Sequence, residues 1–163
     1  MRHLARVHPS TEQRRSNREE LTRFCTHCAE LFGAPTAPAD KPLRGRVCGN
    51  CGLGVILTCS SATLTAPRAA FLVVTADLRV SASSRAAEDV LAIPDGSYGR
   101  PLLSLLTSPA GIGELARAVI RAANGTLAPS TIPVLVASKD LEARIGGCGN
   151  PPAALLVLEP VAS

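Results

Sequence analysis

Aromatic side chains are almost missing from this chain of 163 residues: three Phe, one Tyr and no Trp, 2% of the whole. That argues against surfaces that work by stacking, such as an RRM sheet, a single-strand-binding groove or a carbohydrate platform. Long apolar runs are missing too. The longest, residues 69–74 and 153–158, hold six residues each, far short of the roughly 20 that a membrane-spanning helix needs. The basic start (Arg2, Arg6) is not followed by the apolar stretch of a secretory signal, so a cytoplasmic protein without a membrane segment is expected. Lysine is nearly replaced by arginine, with only Lys41 and Lys139 present. Together with abundant Ala, Gly and Pro this reflects the codon bias of a GC-rich genome and says nothing about mechanism.

What is present suffices for a folded protein. Apolar residues make up 46% of the chain, which argues against wholesale disorder. The length fits one domain or two small ones, at about 150 residues per domain. Charge divides it. Residues 1–67 carry nine cationic side chains against five anionic ones, whereas residues 68–163 carry eight of each. All three histidines (His3, His8, His27) and five of the six cysteines also lie in the first part. The small, polar stretch 60–67, ending on Pro67, reads as a join between two modules. The expected organisation is therefore a basic polar segment over 1–22, a cysteine module over 23–59, a linker over 60–69 and a second module over 70–163. Residues 10–20 (STEQRRSNREE) are polar all round. They suit a solvated helix with Arg–Glu pairs on one face, or a basic arm touching nucleic acid or an acidic partner.

Six cysteines without an export signal suit metal binding better than a disulfide scaffold. Cys25-Thr26-His27-Cys28 and Cys48-Gly49-Asn50-Cys51 are two C-x-x-C pairs with nineteen residues between them, the spacing of a four-thiolate metal site. Two sulfurs three positions apart on a tight turn can grip one edge of a tetrahedron at Zn–S distances of about 2.3 Å. Gly49 and Gly52 suit the second turn, where amides aimed at thiolates need backbone freedom. Pro35, Pro38 and Pro42 mark the excursion between the pairs as loop. Residues 23–59 thus resemble a zinc ribbon with Cys25, Cys28, Cys48 and Cys51 as ligands and zinc as the cofactor. Four thiolates leave no open position, so the zinc is expected to be structural, not catalytic. A redox dithiol is the competing reading, but such motifs come singly, at a helix start after a strand. His27 reads as a bystander inside its knuckle. Cys59, ending an apolar run, and Cys148, in a glycine-rich turn, read as small buried or incidental residues.

From residue 70 the periodicity changes. Residues 71–75 and 78–82 read as a hairpin. Ser84 caps a short helix over 85–91, and residues 99–106 read as a second helix with Pro101 in its first turn. Ile112, Leu115, Ala116, Val119, Ile120 and Ala123 form one apolar stripe of a third, opened by Ser108-Pro109 and closed by Gly125. Three strands follow at 132–137, 141–145 and 153–159, with a turn over 146–152. Pro133 places the first of them at an edge or strand start.

This order, with residues 70–80 (AFLVVTADLRV), 84–88 (SRAAE) and 99–102 (GRPL), resembles a PAS domain. The resemblance spans roughly residues 68–162. It implies a five-stranded antiparallel sheet with helices on one face, hence an α+β protein with an N-terminal zinc ribbon. Ser84 stands where many members carry Asn, and Ala92 where Gly often ends the helix. Other small α+β folds share the element order. The resemblance also offers cofactors, which the residues prune. No His follows His27 to ligate haem, and no Asn-Cys-Arg-type motif serves a flavin, so a small apolar ligand or none is expected.

The G-x-G-x-x-A at residues 111–116 lacks a preceding strand and a later acid, so it is not read as a dinucleotide site. Nothing in the chain composes a catalytic constellation. The leading expectation is a regulatory sensor working through a protein partner, self-association or a small ligand. A thiol-based redox switch with an oxidisable zinc site is the first alternative. A DNA-binding regulator using Arg14, Arg15, Arg18, Arg44 and Arg46 is the second.

Overall fold

In the computed structural model, which describes residues 20–33, 46–149 and 151–162, eight antiparallel strands run in one sheet. The first three are β1 (Leu21–Cys25), β2 (Leu31–Gly33) and β3 (Ile56–Ser60). They are followed by β4 (Ala70–Val74), β5 (Val80–Ser83), α1 (Arg85–Leu91), a single 3₁₀ turn (Leu102–Ser104) and α2 (Ile112–Ala123). The chain closes with β6 (Ser130–Val136), β7 (Lys139–Gly149) and β8 (Ala153–Pro160). The sheet order is β2-β1-β3-β7-β8-β4-β5, with β6 also on β7. No helix among the described residues is long and apolar enough to cross a membrane. The expected helix over the N-terminal segment falls on residues 1–19, outside the described residues, and β1 already begins at Leu21.

β7 joins the two halves. Its partner β8 takes one edge from Leu141 to Cys148, so β6 and β3 share the other, β6 along Lys139–Ile145 and β3 at Cys148–Gly149. The strands of the cysteine module are therefore hydrogen-bonded into the same sheet as the second module. The stretch expected as a linker is packed down as well, with Thr63 and Leu64 buried. Two glycines of β7 permit this. A Cβ on Gly146 would run into Thr63, and one on Gly147 would sit 2.8 Å from the Ala122 carbonyl of α2.

Both faces of the central strands are covered, which is why residues 153–158 are buried without a break. One face packs Leu72, Val74, Ile145 and Leu156 against Leu91, Leu102, Leu115 and Val119. The other packs Phe71, Val73, Leu155 and Val157 against Phe24, Leu57 and Leu64. Beyond that cover the second face is wet: Arg144 pairs with Glu159 at 2.6 Å and reaches Thr65.

Ser84 caps α1 as expected, its Oγ accepting from the Ala87 amide. Three details differ from expectation. Residues 99–106 do not form a regular helix, because the first of them pair with residues 78–80 at the start of β5: Gly99 N–H donates to Val80 O, Val80 N–H to Arg100 O and Leu102 N–H to Leu78 O. Only the 3₁₀ turn remains. In α2 the buried face is Leu115, Ala118, Val119, Ala122 and Ala123, while Ile112 and Ile120 are exposed. Small residues are chosen there because α2 lies close over Gly147. Cys148 stands in β7, not in a turn; the strand runs through Gly146 and Gly147 to Gly149.

Candidate metal centre

Two knuckles with matching backbones face each other across β1 and β3. In the first, Ala29 N–H returns to Cys25 O; in the second, Gly52 N–H returns to Cys48 O. The fifth residue of each is left-handed, Ala29 at φ 59° and Gly52 at φ 69°. Each knuckle is thus a tight turn that points two cysteines the same way. Thr26 ties the turns together: its N–H donates to Val55 O at 2.9 Å and its Oγ1 accepts from Val55 N–H at 3.0 Å. The bridge Val47↔Val55 closes the base of the second knuckle.

The result is a cage of four sulfurs. Cys25, Cys28, Cys48 and Cys51, the residues singled out by spacing, lie with every Sγ within 4.8 Å of the others. Cys25 Sγ is 3.7 Å from Cys51 Sγ, and Cys28 Sγ is 3.8 Å from Cys48 Sγ. Such a set can hold a metal ion. Among the described residues no other group of His, Cys, Asp or Glu does so. His27 is exposed and contributes its backbone, not its ring: its N–H donates to Cys25 Sγ at 3.3 Å. Cys28 N–H also donates to Cys25 Sγ, and Gly54 N–H to Cys51 Sγ, each at 3.4 Å. Asn50 Nδ2 reaches Cys28 Sγ at 3.8 Å. These donors stabilise negative sulfur, as the surroundings of a thiolate cluster must.

The four thiols are not equivalent. Burial pushes Cys25 up to about 12, against the lowering pull of the Cys28 and His27 amides. The Leu53 and Gly54 amides hold Cys51 down at about 6. The amide donors thus favour the thiolate at Cys51, while burial disfavours it at Cys25. Cys25 and Cys48 are buried; Cys28 and Cys51 border a cleft of about 1110 Å³ shared with Arg68, Arg85 and Glu88.

The requirement for glycine falls partly where the sequence did not place it. Gly52 has the positive φ, but a Cβ on Gly49 would meet nothing. Gly54 is the constrained position: a Cβ there would run into Cys25 Sγ and lie 2.8 Å from His27 N. A glycine two places beyond Gly52 was the available signal for it. Of the arginines expected to meet nucleic acid, Arg14, Arg15, Arg18 and Arg44 lie outside the described residues, as do His3, His8, Pro35, Pro38 and Pro42. Cys59 and Cys148 are not part of the cage; they lie opposite one another on β3 and β7. No protein-family model and no curated protein matches the chain.

Proposed function

We propose that the chain is a zinc-binding regulatory protein of the PAS type that acts by contact with a protein partner. Zinc is favoured by the donor set and by the sulfur separations of 3.7 and 3.8 Å, since the edge of a tetrahedron with Zn–S bonds of about 2.3 Å is about 3.8 Å. When bound, the ion would hold the two knuckles together and neutralise the sulfurs; four thiolates leave it no position for catalysis. The PAS reading is supported by the element order. Strands β4 and β5, then α1, the 3₁₀ turn and α2, then β6, β7 and β8 follow the order that suggested the resemblance, with the helices on one face.

Contact, and not an enclosed ligand, is favoured by one observation. The space between sheet and helices is filled by Leu72, Leu102, Leu106, Leu115 and Leu156, all at most 2% exposed, while Val47, Leu53 and Val55 of the second knuckle stand 64%, 73% and 42% in water. Between Asp40 and Asp77 the chain holds Lys41, Arg44, Arg46 and Arg68 and no acid. The exposed apolar side chains and the basic sequence around them suit a partner that offers apolar side chains and carboxylates.

Native mass spectrometry tests the first half: one zinc per chain, lost in Cys48→Ser, is expected, and a metal-free native chain would overturn it. Cross-linking in cells tests the second. Leu53→Asp, folded and zinc-loaded, loses the partner that the parent chain captures; identical captures by both would remove the knuckle tip from the function.

A further inference from the structure

Two thiols lie outside the metal cage, and they lie together. Cys59 of β3 and Cys148 of β7 are direct partners in the antiparallel register, next to Thr58↔Gly149. Opposed residues of an antiparallel pair project to the same side of the sheet, and here both side chains enter the apolar cluster of Phe24, Leu57 and Leu155. Directly opposed Cα atoms are about 4.5 or 5.5 Å apart, and both values lie inside the span of roughly 4.4–6.8 Å that a disulfide bridges. Both thiols are free and buried. They also sit at the join: among the described residues, β3 pairs with β7 at Thr58↔Gly149 and Cys59↔Cys148.

We infer that Cys59 and Cys148 are a modification site: a cross-strand disulfide formed by exchange with a low-molecular-weight disulfide, which fastens the metal-binding module to the sheet. The chemistry balances as an exchange. The Cys59 thiolate attacks one sulfur of the small disulfide and expels its other half as a thiolate, leaving a mixed disulfide on Cys59. The Cys148 thiolate then attacks the Cys59 sulfur and expels the second half. The two protons released by the cysteines end on the two expelled thiols, so one disulfide is reduced and one is made. Burial controls the timing. Folded, the pair is kept protonated and shielded and is inert; the reaction passes through the state in which β3 has parted from the end of β7, where both thiols meet solvent. Once formed, the bond closes a loop of about 90 residues, and β3 no longer parts from β7.

The test uses the full chain with its metal and oxidised glutathione as the probe, followed by alkylation under denaturing conditions and peptide mapping. The expected product lacks two alkylation sites, links the peptides of Cys59 and Cys148, keeps its metal content, and melts on the order of 10 °C higher; dithiothreitol reverses the shift. Cys148→Ser is expected to stop at a glutathione adduct on Cys59, with no rise in melting temperature. The double variant Cys59→Ser/Cys148→Ser, checked for metal content and melting, shows whether the remaining cysteines react without the pair. Alkylation of all six cysteines after oxidation, or links confined to Cys25, Cys28, Cys48 and Cys51, would overturn the inference. Because metal content is read in the same sample, failure of the zinc reading is seen separately from failure of the disulfide.

Discussion

Phe24 of β1 and Phe71 of β4 meet edge to face, with ring centroids 5.3 Å apart and planes at 80°. Both are fully buried. The contact connects a residue beside the first metal-ligating cysteine to the strand that pairs with the centre of the sheet. With so few aromatics in the chain, it places two of the three Phe where the two modules cover each other.

That contact should be measurable as a coupling. Phe24→Ala and Phe71→Ala are each expected to cost about 3–5 kcal/mol. The double variant should fall short of the sum by about 0.5–1.5 kcal/mol, the worth of an aromatic pair beyond its area. Urea unfolding of the four proteins gives the cycle. Strict additivity would mean that Phe24 does not pack on Phe71 in solution.

Gly54→Ala should abolish metal binding with no ligand removed. The added methyl has Cys25 Sγ and His27 N in its way, so the first knuckle must move or the cage must open. Gly49→Ala is the control, since a Cβ there meets nothing and Gly49 has no positive φ. A metal titration should show the parent stoichiometry for Gly49→Ala and none for Gly54→Ala. Equal binding by both would mean that the second knuckle is looser than its hydrogen bonds indicate.

The cysteine cage could be read from spacing because a metal imposes local geometry on residues close in sequence. Ser84 and the strands after residue 70 could be read for the same local reason, whereas β1 and β2 were not. Other features needed the fold. Glycines 146, 147 and 149 look like a turn, but Gly146 and Gly147 serve close approach from both faces of a strand. Residues 99–106 read as a helix, yet Gly99 and Leu102 donate to Val80 and Leu78 instead. Ile112 and Ile120 belong to the apolar stripe by periodicity and stand exposed, because the sheet admits the alanine side of α2. The pairing of Cys59 with Cys148 joins residues 89 positions apart in the chain, and no local signal announces it.

Ser84 does more than cap a helix. Its Oγ accepts from the Ala87 amide at 3.2 Å and the Phe71 amide at 2.9 Å, and donates to Ala69 O at 2.8 Å. The side chain therefore fixes the start of α1 to the start of β4. Replacing an ordinary cap by Ala costs about 1 kcal/mol. Ser84→Ala also strands a buried amide and a carbonyl, so a loss of about 2–4 kcal/mol is expected. Denaturant melts check this, and a loss under 1 kcal/mol would show that water replaces the hydroxyl.

The reduced chain should lose stability in alkali through the same two thiols that the register brings together. Burial pushes Cys59 up to about 12; burial, and the neighbouring Cys59, push Cys148 up to about 12. Below about pH 9 both thiols are protonated whether the chain is folded or not, and they contribute no pH dependence. Above it the unfolded chain releases their protons while the folded chain keeps them. The folded state then binds more protons, so stability falls as pH rises from about 9 towards 12, by about 1.4 kcal/mol per pH unit for each thiol. Unfolding in urea under dithiothreitol, across that range, should show a steeper decline for the parent than for Cys59→Ala/Cys148→Ala. Parallel curves would mean that the thiols reach solvent in the folded protein, and that β3 is not seated against β7 in the reduced state.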